Sequence, residues 1–243
     1  MALMFEEEAK YADNRPRTNF VFLGFPYAAP LPLDDYRAVL SQLENELPLR
    51  FWYFLVEYTT DELMRKLWRA VLRSDLCVFD ISGGNPNVSF EIGLAVARFK
   101  RCSTILRTGA ENPLGRADMS YAERAEYSSA ATLRETLLRV LRSKSSALAI
   151  IRQAANYLYD SAKPYSVDQI EGHLVALLNE VFQHSRITKQ QAERLIGDRA
   201  LADGLMSHLR ERGVLAIDGQ RRGAKWVFGE NWVTKHHEVV GIA

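Results

Sequence analysis

Short unbroken apolar runs alternate, through the first 142 residues, with stretches whose apolar positions recur at helical spacing. Asn19–Gly24 is such a run, ended by Gly-Phe-Pro-Tyr, and predicts a buried strand and a turn. In Asp34–Leu47 the positions Val39, Leu40, Leu43 and Leu47 predict a helix. The aromatic-rich Arg50–Tyr58 predicts a strand. Thr60 is placed to cap a helix whose inner face is Leu63, Leu67, Ala70 and Val71. Leu76–Ile81 predicts a strand, Ser82–Pro86 a tight loop, Asn87 or Val88 to Arg101 a helix, and Cys102–Arg107 a further strand. Gly109–Ser129, interrupted by Pro113 and Gly115, is assigned no element, and Thr132–Leu141 predicts an amphipathic helix. Near-continuous apolar strands alternating with helices predict an α/β domain: a Rossmann-like or flavodoxin-like parallel sheet covered on both faces.

The pattern changes after the polar stretch Arg142–Ser146, which reads as a linker and divides the chain into residues 1–142 and 143–243. Ala147–Tyr159, Ser166–Phe182, Thr188–Gly197 and Arg199–Arg212 all have helical spacing, the last with Leu201, Leu205 and Leu209 on one stripe and Gly213 as a stop. Val214–Ile217, the turn Asp218-Gly219 and Lys225–Phe228 predict a β-hairpin. Helices followed by a hairpin predict a mainly helical winged helix-turn-helix domain.

Composition narrows the class. Of 243 residues, 47% are hydrophobic and 25% charged, which excludes a disordered or collagen-like chain. No apolar run approaches the ~20 residues of a membrane helix. The acidic start MALMFEEEAK lacks a basic segment followed by an apolar one, so a cytoplasmic protein with no membrane partner is expected. Cys77 and Cys102 lie in apolar surroundings and read as reduced thiols. With 31 Lys and Arg against 30 Asp and Glu, a strongly basic nucleic-acid coat is excluded. Any nucleic-acid affinity must come from a local patch. All five histidines (His173, His184, His208, His236 and His237) fall in the second half without metal-ligand spacing, and neither metal nor cofactor is expected.

The stretch from Asp80 to Gly93 (DISGGNPNVSFEIG) concentrates the chemistry. Asp80 sits near the carboxyl end of a predicted strand, where open α/β sheets bind ligands. Gly83 and Gly84 let the backbone turn and let a ligand approach closely. Asn85 and Asn87 supply amide donors and acceptors. Glu91 lies in the following helix among Val88, Phe90 and Ile92. Desolvation there raises its pKa, while the nearby helix N-terminus favours the anion. A carboxylate so held can attack an electrophilic sugar carbon or stabilise an oxocarbenium-like centre. The competing reading makes Asp80 a turn cap, Asn85 and Asn87 loop and N-cap residues, and Glu91 a solvated first-turn acid.

DISGGNPNVSFEIGLAVA resembles the signature of the nucleoside 2-deoxyribosyltransferase-like superfamily, and the likeness extends through FLGFPY over roughly residues 18–142. The resemblance implies that Glu91 is the nucleophile for cleaving a glycosidic bond and that Asp80 positions the sugar hydroxyls or the nucleophile. It implies a base pocket lined by Gly24, Phe25 and Tyr27, with Ser82, Asn85 and Asn87 in the substrate loop. True transferases of that kind usually carry an acid six residues before the nucleophile. Here Asn85 stands there, so hydrolysis to water is the expectation. Similar runs occur in domains of the Toll/interleukin-receptor type that cleave NAD, and in related folds that only sense nucleotides. The expected substrate is therefore a nucleoside, a nucleotide or an NAD-like molecule, and relatives complete such pockets across subunits, which implies a homo-oligomer.

In the second half, Arg199–Arg212 takes the place of a recognition helix, with Arg199 and Arg210 as candidate contacts. Arg221, Arg222 and Lys225 around Gly223 form a local phosphate-binding patch on the wing. Winged helices also dock proteins. The domain order resembles the toxic effector subunits of bacterial retrons, which implies a role in anti-phage defence and a reverse transcriptase with an RNA–DNA hybrid as partner. Two rival readings stay open: a nucleotide-sensing DNA-binding regulator without catalysis, and a partner-docking protein with a vestigial pocket.

Overall fold

The computed structural model describes residues 15–26, 31–53, 60–110, 124–219 and 224–234. The chain divides into two compact units, the second beginning at Ser146 and also taking in Glu44–Arg50. Among the described residues no helix is long and apolar enough to cross a membrane.

The first unit is an α/β sheet domain. Its strands are β1 (Arg17–Gly24), β2 (Arg50–Trp52), β3 (Ser74–Asp80), β4 (Arg101–Arg107) and β5 (Arg124–Tyr127), in the order β2-β1-β3-β4-β5. β1, β3, β4 and β5 pair in parallel. This is the flavodoxin-like order of doubly wound sheets, with its switch point between β1 and β3. Its helices are α1 (Leu33–Glu46), α2 (Thr60–Arg73), α3 (Pro86–Ala97) and α4 (Ala130–Lys144). The apolar strands form because both faces are covered. Phe20–Leu23 and Leu76–Phe79 are at most 2% exposed, and Phe22 meets Phe79 edge to face at 5.9 Å. Cys77 and Cys102 are free and stand in register on β3 and β4.

Several boundaries differ from the sequence reading. The strand expected over Arg50–Tyr58 is described only as Arg50–Trp52, residues 54–59 lying outside the described ones. α3 stops at Ala97 because Phe99 turns left-handed (φ 54°) and Arg101 already belongs to β4. The unassigned stretch 109–129 contains β5, which sequence reasoning missed. The two units divide inside Arg142–Ser146, the stretch read as a linker, but it is mostly helical: α4 runs to Lys144, Ser145 caps it, and a new helix starts at Ser146. Arg142 and Lys144 complement the carbonyl end of α4, so these polar residues extend the helix instead of ending it.

The second unit contains α5 (Ser146–Leu158), α6 (Val167–His184), α7 (Lys189–Ile196), α8 (Arg199–Glu211) and the antiparallel pair β6 (Leu215–Asp218) and β7 (Lys225–Phe228). Ser166, Thr188 and Asp198 cap α6, α7 and α8 through their side-chain oxygens. Ile187 makes an isolated antiparallel bridge to Trp226, on the side of β7 away from β6.

Candidate active site

The switch point of the sheet brings together the carboxyl ends of β1 and β3 and the first turns of α3. Gly24, the last residue of β1, stands in register with Phe79 on β3. Asp80 follows, and the loop beyond it turns through Gly83 and Gly84, both left-handed (φ 72° and 68°), a conformation that other residues adopt only under strain. Asn85 then caps α3 by accepting from the Asn87 amide at 2.8 Å, and Pro86 opens the helix. This loop chemistry sets where α3 begins and hence where Glu91 lands.

Glu91 as a residue is half-buried, but its Oε2 is shut off from solvent and has no hydrogen-bond partner. That oxygen lies against Gly24, where a Cβ would overlap it and would also crowd the Phe79 ring. Glycine at the end of β1 is thus the condition for a carboxyl in this place. Burial pushes the Glu91 carboxyl up to about 8. The α3 N-terminus favours the anion by about 0.3–1 kcal/mol where exposed, too little to offset the loss of water around an unpaired oxygen. At neutral pH Glu91 is mainly the neutral acid. It is not a solvated first-turn acid.

Asp80 is fully buried. Its Oδ1 accepts from the Ser82 amide at 3.0 Å and the Ser82 hydroxyl at 2.6 Å. Its Oδ2 accepts from the Tyr36 hydroxyl at 2.5 Å and from the Tyr127 hydroxyl. The two tyrosine oxygens are 2.6 Å apart. Burial, then the Asp80 charge, raises both phenols well above their ordinary range. Asp80 therefore meets no sugar hydroxyl directly, which corrects one of its two expected roles, because each of its oxygens already accepts two bonds. It anchors α1 through Tyr36, β5 through Tyr127 and the β3–α3 loop through Ser82.

Ser82 is likewise turned inward, since its hydroxyl also accepts from the Arg107 amide at 2.8 Å. It braces β3 against β4 and has no face left for a ligand, contrary to its expected place in the substrate loop. Asn85 is the cap of α3, with its side-chain oxygen engaged, and Asn87 is exposed in the first turn. Phe25 is half-buried and stacks on Tyr36 with ring centroids 4.8 Å apart and planes 7° from parallel; Tyr53 leans on it at 5.9 Å. Phe25 thus belongs to an aromatic wall tied through Tyr36 to Asp80. Tyr27 lies outside the described residues. The structure brings together Gly24 with Glu91, and Phe25 with Tyr36 and Asp80.

Sequence reasoning missed Tyr36 and Tyr127. Tyr36 carried a signal. It continues the inward stripe of Val39, Leu40 and Leu43 on α1, and a tyrosine on a buried face needs a partner for its hydroxyl. Tyr127 lay in a stretch without periodicity.

In the second unit Arg199 is exposed with Nε 3.5 Å from Glu193, Arg210 is exposed, and Lys225 is half-buried at the start of β7. Arg221 and Arg222 lie outside the described residues. His208, on α8, is buried, with Tyr157 stacked on it at 4.6 Å. Compared with models of known protein families and with curated protein sequences, the chain matches none.

Proposed function

We propose that the first unit is an N-glycosidase that cleaves the bond between base and sugar in a nucleoside, nucleotide or NAD-like substrate, with Glu91 as nucleophile. The observation that carries this reading is the buried, unpartnered Glu91 Oε2 set against Gly24 at the switch point of the sheet. A carboxyl held without partner in a dry place is poorly used for stability and well used for chemistry. Once ionised, Glu91 attacks the anomeric carbon as the carbon–nitrogen bond breaks, the base leaving with the bonding pair and taking a proton. Water then hydrolyses the glycosyl ester, returning the carboxylate and releasing the sugar. Positive charge developing on the sugar ring favours the ionised Glu91 that the empty site disfavours. Asp80 acts as a positioning residue, fixing Tyr36 and through it Phe25.

The second unit is read as a winged helix. Three helices α6, α7 and α8, a hairpin and the Ile187 bridge to Trp226 support that topology, with α8 in the recognition position. By its resemblance to retron effectors, the whole chain is a toxin effector in anti-phage defence, a homo-oligomer restrained through this unit by a reverse transcriptase with its RNA–DNA hybrid. A neutral Glu91 is also a hydrogen-bond donor suited to holding a nucleotide without cleaving it, and this favours nucleotide sensing as the second reading.

The test is free-base release from nucleosides, nucleotides and NAD by the full chain, followed by chromatography. Release that vanishes in Glu91→Gln, with kcat/KM rising through about pH 8, is expected. Release that survives Glu91→Gln overturns the assignment. Tight nucleotide binding with no release in either protein establishes the sensor.

A further inference from the structure

A second site lies in the second unit, between the end of α6, the start of α7 and β7. A cavity of about 340 Å³ is lined there by Glu180, His184, Arg186, Thr188, Gln191 and Lys225. Two full cations reach it from segments far apart in the chain. Arg186 is exposed and Lys225 half-buried, and among the described residues neither has a carboxylate within 4 Å. The hairpin register sets Asp218 opposite Lys225, yet the two form no ion pair. The one acid of the lining, Glu180, is 3.6 Å from His184 Nε2.

Neighbouring cations behave differently. Lys189 is held by Asp203 at 2.7 Å and Arg199 by Glu193 at 3.5 Å. The cavity keeps an excess of positive charge, Arg186 and Lys225 standing against Glu180 alone. Of its other polar groups, the Thr188 hydroxyl donates to Gln191 and His184 faces Glu180. Gln191 uses its side-chain oxygen on the Thr188 amide and hydroxyl, leaving the amide NH2 unengaged. A guanidinium, an ammonium and an amide NH2 lining one concavity match the oxygens of a tetrahedral oxyanion.

We infer that this cavity binds a phosphate group, with Arg186 as the forked donor and Lys225 as the point charge. Chemistry at Glu91 has no part in this inference. The phosphate comes either from a nucleic-acid backbone or from a free nucleotide. In the first case the second unit grips the backbone in the cleft beside the hairpin instead of on the outer face of α8.

The experiment titrates the full chain with two probes, inorganic pyrophosphate and a short DNA duplex, at several salt concentrations. It follows the Arg186 and Lys225 side-chain resonances and the affinity. Binding of at least one probe is expected, weakened about tenfold or more by Arg186→Gln and by Lys225→Gln. With the duplex, the log–log salt slope drops by about one in each variant, because one phosphate fewer is neutralised. Glu180→Gln is expected to tighten binding, an effect that general damage to the fold would not produce. Weakening confined to the duplex identifies a backbone site, and weakening confined to pyrophosphate a small-molecule site. No binding of either probe overturns the inference, as does binding that Arg186→Gln and Lys225→Gln leave unchanged while melting curves show both variants folded.

Discussion

Replacing Glu91 by Gln tests the physical state on which the catalytic reading depends. In the folded chain burial holds the carboxyl near 8, against an ordinary value of 4.5. Below 4.5 both folded and unfolded states carry the neutral acid and the group is neutral in its effect. As pH rises from 4.5 towards 8 the unfolded state ionises and the folded state does not, so stability falls by about 1.4 kcal/mol per pH unit. Above 8 the folded state ionises too and the loss stops growing. The gap is worth at most about 5 kcal/mol, water entry and relaxation reducing it. Gln has nearly the same shape and no charge to desolvate. Glu91→Gln is therefore expected to match the parent within about 1 kcal/mol near pH 4.5, and to exceed it by several kcal/mol near pH 9. Urea unfolding of the full chain measures this, with hydrogen exchange of β1 and β3 peptides reporting the first unit alone. A variant no more stable than the parent near pH 9 would refute the claim that an unpaired carboxyl is buried against Gly24.

Three further outcomes rest on individual side chains. Gly24→Ala puts a methyl group where Glu91 Oε2 and the Phe79 ring lie. Base release is expected to fall sharply with Glu91 intact, with about 1–3 kcal/mol lost in urea unfolding; unchanged release would show that Glu91 works from elsewhere. Tyr127→Phe removes one of the two donors to Asp80 Oδ2. A loss of about 1–3 kcal/mol is expected in the same unfolding measurement, while Tyr36 keeps the other bond. In the second unit, burial holds the His208 imidazole below its ordinary 6.5, with Arg212 adding to the effect and Glu211 opposing it. Its Nδ1 has no partner, and Tyr157 covers the ring. The stability given by a neutral His208 is present above 6.5 and lost as pH falls below it. Faster hydrogen exchange of α5 and α8 peptides is expected on acidification, and His208→Leu is expected to remove that dependence.

The sheet was legible because its strands are buried on both faces. Burial on both sides leaves no polar alternation, so Phe20–Leu23 and Leu76–Phe79 stand out as unbroken apolar runs. The loop before α3 was legible for a local reason as well. Gly83, Gly84 and Asn85 are the residues that left-handed turns and N-caps require, while Pro86, read into the loop, opens the helix one or two residues before the expected start. β5 was not legible, being a four-residue strand with Glu126 exposed between buried Ala125 and Tyr127. Arg142–Ser146 marked where the units divide but not that α4 runs through it, because basic residues suit a helix C-terminus as well as a loop.

The sequence by itself determined that an acid would follow a glycine-rich loop at the end of a buried strand, early in the helix beyond it. Its protonation, and the occupation of Asp80, were decided only by tertiary structure. Glu91 is dry because β1 ends in Gly24 beside it, and Asp80 is engaged because Tyr36 and Tyr127 arrive from elements remote in the chain. Desolvation and hydrogen bonding depend on what stands within a few ångströms in space, and neighbours along the chain do not specify that.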